Sequence, residues 1–162
     1  MNRTKFILGL GALCLASLSL RTAGANGDAI AVVVNKTNVV PTLSAADLKA
    51  IFLGQKDRWP TGKPLVPVAL GNGHPELHSF LKIICNMSEG DYKKYFLQMT
   101  FVGKSVTLPR MVGSAQDVKT LVSTTPGAIG FLRASDVDGS VGIVKVNGES
   151  PSDPGYQLAL KP

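Results

Sequence analysis

Histidine and cysteine are both scarce in this chain, with two of each in 162 residues. That scarcity excludes a disulfide-stapled framework and leaves little from which a zinc cluster could be built. Charge is also thin, at 17% of residues, and it is scattered. Lys93-Lys94 is the only basic doublet, and no basic block with interleaved aromatics occurs, which argues against nucleic acid as a partner. The longest apolar run, Phe6 to Leu20, holds 15 residues including two glycines and two serines. A membrane-spanning helix needs about 20. No serine sits in a Gly-x-Ser-x-Gly elbow, and no Gly-rich loop leads into Lys-Ser or Lys-Thr. Only two histidines could serve any serine as a base. Nothing in these residues points to catalysis or to a cofactor, so the chain is read as a non-enzyme.

What is present begins with an export pattern. Arg3 and Lys5 make a positive start, the short apolar run follows, and Ala23-Gly24-Ala25 is a small-x-small cleavage site. Residues 1–25 are expected to be a cleaved signal peptide, with the periplasm as destination and no stable membrane insertion afterwards. Their removal takes three of 17 basic residues and no acidic ones, so the net charge falls from +6 to +3. Cys85 is then the only thiol left, read as a small buried hydrophobe. With 44% apolar residues, the remainder has enough material for one domain, expected over residues 26–147. Residues 148–162, with three prolines, read as a loosely held tail.

Periodicity predicts alternating strands and helices. Ala29–Val34 is a continuous apolar run suited to a strand covered on both faces. Ser44 with Asp47 caps a first helix, Leu43 and Leu48 form a staple, and Gly54 stops it. Leu65–Leu70 reads as a second strand. Pro75 opens a second helix with Leu77, Phe80, Leu81 and Ile84 inward. Ser88 with Asp91 opens a third, with Tyr92, Tyr95, Phe96 and Met99 on its apolar face, and Ser114 with Asp117 opens a fourth. Strands over Ala128–Leu132 and Val141–Val146 follow. This alternation implies an α/β fold, a layered mixed sheet flanked by helices.

Two segments, Leu43–Gly54 (LSAADLKAIFLG, with Arg58-Trp59-Pro60 following) and Thr124–Phe131 (TTPGAIGF), resemble one lobe of the phosphate ABC transporter substrate-binding proteins, a family of type 2 periplasmic binding proteins. The resemblance runs from about Ala29 to Val146 and implies a short, single-lobe relative. It implies a small oxyanion such as phosphate as ligand and an ABC permease or another envelope protein as partner. In that family an Arg-x-x-Gly-Ser-Gly-Thr loop grips the anion. Aligned on Phe80, the arginine position falls on Leu70, the serine on His74, the second glycine on Pro75 and the threonine on Glu76.

The departures have physical weight, since a bidentate guanidinium and an N–H are lost and a carboxylate is gained. Glu76 by itself reads as a complement to the helix dipole. What survives as candidate anion contacts is Asn72, Gly73 and His74. Arg110 with Ser114 forms a second candidate group, though Gly113-Ser114 is equally an ordinary helix cap. His74 and His78 are four apart, but no third ligand lies nearby, so no metal site is expected. A single lobe offers half a cleft. It could bind weakly, complete the site as a homodimer, or serve as an interaction module of the envelope with no solute ligand.

Overall fold

The computed structural model describes residues 28–160; the expected signal peptide lies outside the described residues. Its order is β1 (Ile30–Val34), β2 (Thr42–Leu43), α1 (Ala45–Phe52), β3 (Val66–Leu70), α2 (Pro75–Phe80), α3 (Glu89–Phe101), β4 (Arg110–Val112), α4 (Ala115–Thr124), β5 (Ala128–Arg133) and β6 (Gly142–Val146). A π-helical turn, Leu81–Cys85, continues α2, and Asn86 ends it in the left-handed region at φ 55°. Among the described residues no helix is long and apolar enough to cross a membrane.

The six strands form one sheet in the order β2-β6-β1-β5-β3-β4. β3 is parallel to both β4 and β5, β2 is parallel to β6, and β1 is antiparallel to β5 and β6. Five strands therefore run one way and β1 alone runs back. Helices cover both faces. Alternate strand residues Ile30, Val32, Ala69, Ile129, Phe131 and Val144 pack with α1, α2 and α3, whereas Ala31, Val33, Val68, Leu70 and Leu132 pack with Val118 and Val122 of α4. The fold is thus the layered mixed sheet the sequence predicts. All five residues of β1 are buried, as a strand covered on both sides requires.

The motif residues behind the family resemblance serve this packing. Phe52 of α1 meets Phe80 and Phe131 in an aromatic cluster, with the Phe80 and Phe131 rings stacked 4.0 Å apart. Trp59 Nε1 donates to the Gly127 carbonyl at 2.9 Å, fastening the segment after α1 to the start of β5. Gly127 has φ 84°, and a Cβ there would lie 2.1 Å from the Pro64 carbonyl oxygen, so only glycine fits. Cys85 is buried, and desolvation pushes its thiol up to about 11. It packs as the small hydrophobe expected.

Ser44 and Ser88 form complete capping boxes with Asp47 and Asp91. The expectation for the tail needs correction. The tail is not loosely held: Leu158 is buried in the main core, the Ile30 N–H donates to its carbonyl at 2.8 Å, and the Tyr156 hydroxyl donates to the Ile30 carbonyl at 2.7 Å. Prolines here shape a return path across β1. Two short strands, β2 and β4, have no apolar alternation long enough to be read. Arg110 of the second candidate group opens β4.

Candidate functional site

Parallel strands bring their carboxyl ends to one edge, where the following loops expose backbone donors. Here that edge gathers the Gly71–His74 loop after β3, Gly113-Ser114 after β4 and Arg133 at the end of β5. Candidate residues Asn72, Gly73, His74 and Ser114 thus share one side of the sheet. Arg110 lies two residues upstream of the end of β4, opposite Val68 in register, and is exposed. Its side chain makes no hydrogen bond or ion pair among the described residues.

Several donors at this edge are engaged by the chain itself. The Gly71 N–H donates to the Val112 carbonyl at 2.8 Å, and the Gly73 N–H to the Glu89 carboxylate at 3.1 Å. The His74 N–H reaches back to the Gly71 carbonyl at 3.4 Å, and Pro75 has none to offer. His74 occupies the position before α2 without a side-chain cap. Ser114 accepts from the Asp117 N–H at 3.1 Å and donates to the Asp117 carboxylate at 2.7 Å, so its hydroxyl caps α4 in both directions.

Glu76 does stand in the first turn of α2, and there it is buried and accepts from Arg133 Nε at 2.5 Å, a partner the sequence reading did not supply. The carboxylate raises the pKa of the Arg133 guanidinium further, by hydrogen bond first and by charge second. Arg133 was invisible to sequence reasoning because its partner lies 57 residues away; an arginine closing an otherwise apolar strand was the available hint. Glu89 was missed similarly, as an acid in the first turn of a helix.

Between this loop and α3 lies a groove of about 230 Å³, lined by Asn72, Tyr92, Phe96, Leu108, Pro109 and Met111 among others. Among the described residues no three of histidine, cysteine, aspartate and glutamate come together to hold a metal ion.

No family model matches the chain. Among solved structures it is similar to a protein assigned as a phosphate ABC transporter substrate-binding protein from Clostridium perfringens, with phosphate bound, at 26% identity and a TM-score of 0.63. The match covers 76% of this chain and 47% of that one. The fold is that of part of a periplasmic binding protein. An ABC-type phosphate transport receptor from Vibrio cholerae matches at 23% identity and TM-score 0.62, over 76% of this chain and 48% of its own. PstS from Borrelia burgdorferi matches at 15% and 0.61, over 76% and 49%. The chain therefore spans about half the length of the binding proteins it matches.

Proposed function

We propose that this chain is an exported, single-lobe domain of the solute-binding type, acting in the periplasm and recognising a small oxyanion, with phosphate the first candidate. An ABC permease or another envelope protein is the corresponding partner. The observation that carries the reading is Arg133, a guanidinium at the carboxyl edge that already holds an oxyanion, the Glu76 carboxylate. A phosphate oxygen offers Arg133 the same acceptor with higher charge. Asn72, Gly73 and His74, in the loop that leads into the helix of Glu76, are the first group of candidate contacts; Arg110 and Ser114 form the second group.

In this reading the site is self-occupied, and ligand must displace Glu76. The test is isothermal titration of the protein and of Glu76→Thr with phosphate and then sulfate, with circular dichroism to check folding. Wild-type binding is expected to be weak. Glu76→Thr removes a like charge at ionic-contact range and should tighten it by about tenfold or more. Arg133→Ala in that background should abolish it. A folded Glu76→Thr protein that stays silent at millimolar phosphate overturns the reading.

A second reading is favoured by the satisfaction of the loop amides and of Ser114 from within the chain. In it the lobe takes no solute and works through its surface on another envelope protein, and Glu76→Thr creates no binding.

A further inference from the structure

β4 is an edge of the sheet, and its outer side carries a self-complementary pattern. Because the Val112 carbonyl accepts from Gly71, Val112 and Arg110 turn their backbone groups toward β3. The backbone groups between and beside them point away from β3, so the Met111 N–H and C=O, the Gly113 N–H and the C=O of the buried Pro109 lie along the outer edge. We propose that this edge pairs with the β4 of a second copy of the chain, antiparallel, about a two-fold axis through Met111. The inference does not rest on anion binding, although Arg110 is also one of the candidate anion contacts.

The hydrogen-bond bookkeeping closes on itself. Centred on Met111, the two copies exchange both Met111 bonds, as a hydrogen-bonded antiparallel pair does. The Gly113 N–H of each copy then meets the Pro109 carbonyl of the other. Pro109 lacks an N–H, and this register asks none of it at the strand's end.

Charge fits the same register. Arg110 shares the α4 side of the sheet, being in register with Val68 of that core. In the two-fold pairing it stands opposite Val112 of the second copy, next to Gly113. Asp117 lies there, its Oδ2 3.8 Å from where a Gly113 Cβ would be, and it forms no ion pair among the described residues. Each copy thus offers its unpaired Arg110 to the other's Asp117, as an isologous interface requires.

The opposite face supplies apolar area. Met111 and Leu108 are 46% and 60% exposed and line the groove against Tyr92 and Phe96. Leu97, 59% exposed, lies one turn beyond the groove residue Lys93 on α3. In the dimer the two Met111 side chains meet on this face, directly across the new ladder. Antiparallel pairing points the two carboxyl edges in opposite directions, so neither copy closes the other's half-cleft.

Sedimentation equilibrium of the purified protein tests this. A concentration-dependent dimer is expected. Met111→Pro removes the central N–H without touching the donors β4 gives to β3, and Arg110→Glu sets two acids against each other. Each should weaken the dimer by about tenfold or more, with unchanged circular dichroism. Met111→Cys should cross-link to itself under mild oxidation, which serves if the proline variant fails to fold. A wild-type protein that stays monomeric at its highest soluble concentration overturns the proposal, including one that instead binds an extended peptide at this edge. A dimer indifferent to folded Arg110→Glu and giving no Met111→Cys cross-link overturns it equally.

Discussion

Replacing Leu158 by alanine is expected to destabilise the domain as a core substitution does, although the residue sits in a segment that reads as a loose end. Leu158 is 1% exposed and shares the main core with Ile30, Leu48 and Ile84. A buried Leu→Ala change costs about 2–5 kcal/mol through lost transfer energy and the cavity left behind. Three backbone or hydroxyl bonds beside it, Ile30 N–H to Leu158, Tyr156 to Ile30 and Leu160 N–H to Asp28, limit how far the segment can collapse to refill the space. A loss of about 3 kcal/mol is therefore expected. With a urea slope of about 1.5 kcal/mol per molar, the midpoint should fall by about 2 M. That is a large part of a domain stability of about 5–15 kcal/mol. A midpoint shift below about 0.3 M, the response of a surface position, would show that the tail does not complete the core.

Gly127→Ala should cost more than about 2 kcal/mol, because the left-handed backbone alone accounts for about 1–2 and the new Cβ also strikes the Pro64 carbonyl. Gly148→Ala is the control: its φ of 86° is similar but nothing lies within 4 Å, so the difference between the two urea midpoints isolates the collision. Acid should weaken the fold. Asp47 and Asp91 are held below the usual carboxylate range chiefly by Ser44 and Ser88, and Asp138 by Lys119 and then Ser140. Depressed folded-state pKa values mean that their contribution is present above about pH 4 and is lost as pH falls below it. Urea midpoints that stay level between about pH 5 and pH 2 would contradict this.

The elements legible in the sequence are those whose cause is local. Ser44–Asp47 and Ser88–Asp91 announce helices because both partners of each box lie within one turn, and β1 announces itself by an unbroken apolar run. β4 was not legible: three residues, two of them exposed, owe their strand conformation to the ladder with β3 rather than to their own pattern. The tail misled because prolines and polar residues dominate it, while one leucine and a few backbone bonds decide its placement. At the candidate site, the loop that departs from the pattern of the phosphate-binding proteins this chain resembles was visible residue by residue. What Glu76 does there was not, because its charge is answered by an arginine at the far end of another strand.

The bond from the Leu160 N–H to the Asp28 carbonyl, 2.6 Å long, makes the chain leave the fold where it came in. Residues 28 and 160 could be joined by a short linker and the backbone reopened at the exposed Gly139 turn, giving a circular permutant with every strand still in its place. The same adjacency makes the unit graftable. It could be set into a surface loop of a host protein with little strain on either, since both connections emerge from one point. Anything attached at that point would meet the domain at one place, beside the start of β1.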